Sequence, residues 1–315
     1  MAGDRPHAIP ELPAWRARLR RLRERIVELS LLACGLASIA ITVAICYVVA
    51  KGTIEFFQDD TVSISYFFTG SEWTAGFQDA KYGILPLLAG TFMVAAIAAL
   101  VAMPVGLITA VYLSEYASPR VRGIVKPILE LLAGIPTVVY GYFALTAVTP
   151  VLLALGPPEW IHHPQNQLSG GLVVGIMIIP IVASLSEDAL RSVPKSLREG
   201  SLALGANNLE TITRVVIPSA LSGIVASSLL AIPRAVGETM AGSLAGGDKP
   251  VLTLDPREGV ATMTSFIVRA AQGDVPHGST YFKSLFAVAG VLFVVTLTMN
   301  IFAQWILKRF RLVYQ

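Results

Sequence analysis

The sequence predicts an all-α integral membrane protein with six transmembrane helices, and three observations carry the prediction. The chain is 54% hydrophobic and only 14% charged, where soluble domains carry about 25% charge. Its mean hydropathy is +0.65. Six stretches of 19 to 33 residues hold almost no ionisable side chain, and about 20 apolar residues cross a bilayer core. Backbone groups in lipid must be satisfied within their own segment, so helices are the expected form.

The chain opens with a basic segment, 1–28, whose "WRARLRRLRERIVEL" precedes the first uncharged run, 29–50. That run is long for a signal h-region and no small-residue cleavage site follows, so it reads as a retained anchor. Its arginines suit either anionic headgroups or a solvated helical face. Cys34 and Cys46 both lie in this run, about 18 Å apart at helical rise, too far for a bridge. Packing is the expectation for both. A loop, 51–81, leads to a core, 82–307, with five further spans at 82–114, 131–155, 168–186, 215–247 and 284–307. A short tail, 308–315, closes the chain. Pro104, Pro136, Pro180 and Pro233 fall inside spans, where neighbouring helices can re-satisfy the freed carbonyls.

Lys and Arg set the orientation. With the N-terminus inside, inner segments hold 17 basic residues and outer ones six, Arg234 completing the 24. Both termini are therefore expected in the cytoplasm, and the net charge of +3 reports topology rather than nucleic-acid binding. The outer loop 248–283 carries "GVATMTSFIVRAAQG", a helical pattern suited to a surface helix or small cap, with a binding role as one reading. His162-His163 lies in a short outer loop and reads as solvated. His7 and His277 also fall outside the spans. No Ser/His/Asp or paired-carboxylate arrangement suggests catalysis. Glu130 should open the third span, and Glu187-Asp188 end the fourth at a membrane edge, where charge is cheap.

Two places carry information. The inner loop 187–217 is long and charged. After Pro194, "KSLREGSLAL" should form a short helix with Leu197, Leu202 and Leu204 available to bury, ended by Gly205. "NNLETITRVVI" then begins another helix leading to Pro218. A short Gly-capped helix on a cytoplasmic loop is a knob for a cleft in another protein. The second place is Arg234 and Glu238, ions four residues apart in an otherwise apolar stretch. On one continuous helix they would share a face and could pair, which is one account of them. The other is that guanidinium matches phosphate oxygens bidentately. Arg234 is then a transient anion contact and Glu238 its orienting partner. Gly237 would allow close approach, and Thr239 could offer its hydroxyl.

The inner loop resembles the ABC importer permease pattern Glu-Ala-Ala, three residues, Gly, nine residues, Ile, one residue, Leu-Pro. Glu199 and Gly205 stand at that spacing, followed by Val215 and Ile217-Pro218; Gly200-Ser201 replaces the alanines. "YGILPLLAGTFMVAAIAALVAMPVGLITAVYLSEYA", "ELLAGIPTVVYGYFAL" and "PRAVGETMAG" resemble permeases of the phosphate-specific (Pst) ABC importer, PstC type more than PstA, over roughly 80–310. The resemblance implies a type I ABC importer permease architecture and a phosphate pathway through Arg234, Gly237, Glu238 and Thr239. It also implies ATPase coupling through Glu199, Leu202, Leu204, Gly205 and Ala206. Implied partners are a PstA-like permease, two PstB-like ATPases and a PstS-like extracytoplasmic phosphate-binding protein. The chain has no GxxxxGK[ST] phosphate-cradling loop, so no cofactor is expected in it; ATP and Mg belong to the partner ATPase. A permease for molybdate, sulfate or phosphonate, and an ATP-independent anion channel or carrier, stay open as alternatives. A membrane enzyme or sensor is disfavoured by the missing catalytic constellation.

Overall fold

The computed structural model describes residues 14–77, 79–157, 163–273, 275–276 and 278–310, with side chains over 23–309 within those limits. The chain falls into two compact units, Met1–Lys51 and Gly52–Gln315. Helix α1, Ala14–Phe57, supplies the first unit's described residues; Leu31, Ile41 and Tyr47 are exposed there, as lipid-facing side chains are. Cys34 and Cys46 are free and exposed rather than packed within the chain.

The second unit continues through α2 (Ile64–Thr69), α3 (Leu85–Val111), α4 (Pro119–Ala133), α5 (Thr137–Phe143), α6 (Thr149–Leu155) and α7 (Gln167–Ser192). It ends with α8 (Lys195–Ala203), α9 (Asn208–Thr211), α10 (Ile217–Val236), α11 (Met240–Ala245), α12 (Met263–Gln272) and α13 (Thr280–Phe310). Among the described residues three π-helical turns are inserted, Tyr112–Tyr116 after α3, Ala144–Val148 between α5 and α6, and Ile212–Val216 between α9 and α10. Among the same residues six helical stretches are long and apolar enough to cross a membrane: Arg23–Phe57, Leu85–Tyr116, Thr137–Leu155, Gln167–Ser192, Asn208–Val236 and Thr280–Arg309.

Two spans differ from the sequence expectation. Residues 131–133 belong to α4, a separate amphipathic helix that contains Glu130; Gly134–Pro136 breaks the chain and the third span starts at Thr137. Pro136 is therefore the N-cap of α5 and not an interior proline; its fixed φ suits a helix start. The stretch 215–247 is likewise two helices, since α10 ends at Val236 and α11 begins at Met240. Lack of charge extends an apolar run across a break that backbone geometry makes.

Packing centres on α3 against α7. Val94, Ala95, Ala98 and Ala102 meet Val173, Val174, Met177 and Ile178, all nearly inaccessible. At Gly175 a Cβ would stand 3.1 Å from the Ala98 carbonyl oxygen, closer than a side chain comfortably sits. Small residues admit that approach, which drives helix association where apolar burial gives no advantage over lipid. At one end of α3, the Met263 amide donates to Thr91 Oγ1 at 2.9 Å, joining α12. At the other end the π turn meets α8. Helical rise separates Thr91 from Glu115, where α8 joins, by about 36 Å.

The α12 end carries a chain of edge-to-face rings. Phe56 meets Tyr82 at 5.2 Å, Tyr82 meets Trp73 at 5.8 Å and Trp73 meets Phe266 at 4.8 Å. Each such pair adds about 0.5–1.5 kcal/mol beyond area burial. The loop helix expected within 248–283 is α12, started by a Thr262–Ser265 capping box. Its Phe266 and Ala270 are buried, so it folds as a packed cap. His163 Nε2 lies 3.0 Å from Lys249 Nζ; His7, His162 and His277 lie outside the described residues.

Candidate functional site

The α8 knob is built as its sequence suggests. Pro194 starts the helix. Gly205 ends it at φ +89, with the Ala206 amide donating to Ser201 O at 3.2 Å and the Gly205 amide to Leu202 O at 3.0 Å. This double return is the Schellman termination, in which a left-handed residue lets orphan carbonyls be satisfied. Next, Asn207 caps α9 by a reciprocal bond with Glu210, so the chain turns sharply and re-enters a helix. Leu202 and Leu204 are not buried as the sequence suggested. Leu202 is 45% exposed and Leu204 91% exposed; Glu199 and Gly205 are exposed and Ala206 is half-buried. The loop therefore presents an apolar tip among its charges, which no described residue of this chain covers.

Helices α9 and α10 join through the π turn as one helical rod from Asn208 to Val236, and Arg234 sits in its last turn. Arg234 and Glu238 do not share a helix. The rod ends at Gly237, whose amide donates to Pro233 O at 3.0 Å, and the Glu238 amide to Ala235 O at 3.3 Å. Glu238 turns the other way: its Oε1 accepts from the amides of Met240 at 3.2 Å and Ala241 at 3.3 Å, capping α11. Its backbone carbonyl accepts from Thr264 Oγ1 of α12 at 2.9 Å. Among the described residues no salt bridge joins Arg234 to Glu238, and Arg234 is exposed. The expected i,i+4 pair is thus dissolved by the break: Pro233 weakens the last turn, and the Glu238 carboxylate accepts from the orphan amides that open α11.

The other two pathway candidates sit within the break. Gly237 is exposed and Thr239 half-buried, and Thr239 Oγ1 donates to Gly237 O at 3.2 Å, which turns it towards its own backbone. Beyond the break α11 packs tightly, with Ala241, Gly242 and Ala245 buried. Gly141 of α5 meets it so closely that a Cβ would stand 3.1 Å from Met240 O.

Sequence reasoning missed the charges at the α8 end. Glu187 is wholly inaccessible, where a cheap membrane-edge charge was expected. Lys126 Nζ reaches its Oε2 at 2.8 Å and Arg122 Nε its Oε1 at 2.9 Å, the latter outside hydrogen-bond angle. Lys126 also holds Asp188 at 2.6 Å. Burial opposes the Lys126 charge, but the hydrogen bonds it donates to Asp188 and Glu187 outweigh that and raise its pKa above the ordinary lysine value. Arg122 and Lys126, four apart on α4, were the available signal; that they meet α7 is tertiary information. No group of three or more His, Cys, Asp or Glu suited to a metal occurs among the described residues.

Residues 102–312 match the family model described as the inner membrane component of binding-protein-dependent transport systems. The chain is 34% identical to the probable ABC transporter permease protein YqgH of Bacillus subtilis, over 92% of this chain and 93% of that one. It is 34% identical to the phosphate transport system permease protein PstC 1 of Mycobacterium tuberculosis, covering 78% and 82%. Among solved structures, a bacterial ABC transporter importing the acidic polysaccharide alginate aligns with TM-score 0.63 at 16% identity, covering 93% of this chain and 100% of that one. The MetNI methionine ABC transporter aligns with TM-score 0.53 at 18% identity, over 72% and 94%. These structures share the type I importer permease fold. The exposed knob, the interrupted fifth span and these likenesses converge: the chain belongs to the binding-protein-dependent transport system inner membrane components, as a multi-pass ABC importer permease similar to the PstC type.

Proposed function

We propose that this chain is one of two permease subunits of an ATP-driven importer of inorganic phosphate, with both termini in the cytoplasm. The observation that carries the substrate is Arg234, an exposed arginine with no acidic partner among the described residues, in the last turn of a membrane span that stops at Val236. An arginine inside a bilayer costs about 2.5–3.5 kcal/mol on insertion scales, so its exposed side requires a polar neighbour. A second permease provides the wall and the passing anion the counter-charge. The guanidinium fork fits phosphate oxygens, and its single charge leaves binding weak enough for release. Glu238 works differently from an orienting partner. By capping α11 it keeps its charge away from Arg234 and fixes the break. Gly237 and Thr239 supply the exposed turn beside it.

The chain does no hydrolysis in this reading. Two ATPase subunits bind ATP and Mg, and α8 docks one of them through Glu199, Leu202, Leu204, Gly205 and Ala206. An extracytoplasmic phosphate-binding protein delivers substrate at the α12 end. The names of the PstC-like relatives support phosphate as the cargo. The test is ATP-dependent uptake of radiolabelled phosphate by the assembled complex in proteoliposomes, with molybdate, sulfate and phosphonate as competitors. Uptake that needs the binding protein and is lost in Arg234→Ala supports the proposal. Uptake unaffected in both Arg234→Ala and Glu238→Ala ends the assigned pathway, and uptake of another oxyanion in preference to phosphate ends the substrate.

A further inference from the structure

The docking helix has an unusual deficit. No side chain of α8 is buried, so apolar packing does not bind it to the spans it is meant to move. Its attachments to them are polar, and one residue makes most of them. Arg198 projects from α8 into the gap between the ends of α3 and α7. Its Nη2 donates to Glu115 Oε1 at 3.0 Å, in the π turn that ends the second span, and to Leu190 O at 2.8 Å. Its Nη1 donates to Val193 O at 2.7 Å. Leu190 and Val193 lie at the C-terminal end of α7, where the Leu190 carbonyl also accepts from the Val193 amide at 3.3 Å and the helix dipole favours a cation. Glu115 is held by Ser114 Oγ at 2.7 Å, and the ion pair is largely shielded, with side chains 20% and 12% exposed. The remaining polar joint is Ser201 Oγ to Thr211 Oγ1 at 3.0 Å, which ties α8 only to the rod that follows it.

We infer that Arg198 is the positioning residue that makes α8 move as one body with the inner ends of the second and fourth spans, transmitting the ATPase stroke to the α3–α7 core. This rests on the functional reading above. The rod through α9 and α10 carries movement towards Arg234 by covalent continuity. Spans two and four have no such rod from the knob, because the link from α7 to α8 turns at Val193-Pro194. A guanidinium is suited to the joint, since its planar fork reaches three acceptors on two elements with little loss of freedom per bond. Pi turns recur where helices do functional work, and Glu115 occupies one.

The experiment measures phosphate delivered per ATP hydrolysed by the complete complex in proteoliposomes. With Arg198→Ala, the ATPase still co-purifies and basal hydrolysis persists, while phosphate per ATP falls about fivefold or more. Arg198→Lys recovers part of the ratio, and Glu115→Gln, which leaves the carbonyl bonds in place, gives an intermediate loss. A merely structural role lowers hydrolysis and uptake in proportion and leaves the ratio constant; that result overturns the inference. Should Arg198→Ala fail to assemble, Arg198→Lys and Glu115→Gln decide, a wild-type ratio in both sinking the clamp. Wild-type complexes without ATP-driven phosphate uptake refute the functional reading instead, so the two failures are separable.

Discussion

Two charged regions of this apolar chain are built in opposite ways. At the α8 end, charges are answered within the chain: buried Glu187 by Arg122 and Lys126, exposed Asp188 by Lys126, and half-buried Arg198 by Glu115. At the α10–α11 break, Arg234 is left exposed while the Glu238 carboxylate is drawn into a helix cap. Answered charges hold elements together, and their removal is felt as lost stability or lost coupling. In the proposed reading, an unanswered charge in a membrane span serves something that arrives from outside, and its removal is felt as lost transport.

Four measurements break or sharpen that contrast. The largest effect belongs to Arg234→Ala, expected to lower phosphate uptake at least about tenfold while assembly and thermal stability stay near wild type; a large fall in melting temperature would place Arg234 with the structural charges. Glu187→Leu should do the reverse. Removing one partner of a buried pair costs about 3–5 kcal/mol, and the low value is expected, since Arg122 and Lys126 are 27% and 23% exposed. Denaturation of the purified subunit in detergent reads it, and an unchanged midpoint would refute the assignment. Gly205→Ala follows. At φ +89 a Cβ costs about 1–2 kcal/mol, which should loosen the end of α8 and weaken ATPase co-purification while Gly200→Ala, in the helix with open space around it, leaves it intact.

The smallest effect concerns pH. Asp59, outside the membrane spans, has its pKa lowered by the Thr280 hydroxyl first and by Thr61, with Lys283 adding attraction. A carboxylate depressed in the folded state contributes stability that is present above its unfolded pKa, about 3.9. That contribution disappears as pH falls through the lower folded value. Thermal melts below about pH 4 should therefore show a component that Asp59→Asn removes, and identical acid profiles for both proteins would exclude this role. The charge is partly solvated, so the expected shift is slight.

Much of this was legible in the sequence, and the residues say why. The six spans follow from uncharged length, and the α8 knob follows from Pro194, Gly205 and Asn207, which act on their own backbone through φ, αL geometry and capping. The break at Gly237 was hidden because Pro233 is common in membrane helices that continue, and because Glu238 read as a helical neighbour of Arg234. The Arg198–Glu115 joint spans 83 residues of sequence, and nothing local to either residue names the other. Glu187 looked like an edge charge because depth is not written in hydropathy alone.

Taken by itself, the sequence determined which segments enter the membrane and where the α8 turn begins and ends. Transfer to lipid adds up residue by residue, and caps act within a few bonds. Only the tertiary structure decided which charges are neutralised and which stay open. Pairing depends on how α3, α4, α7 and α8 converge at one end and on which orphan amides lie nearest Glu238 at the break. Those are distances between segments, set by close packing through small residues such as Gly175 and Gly141.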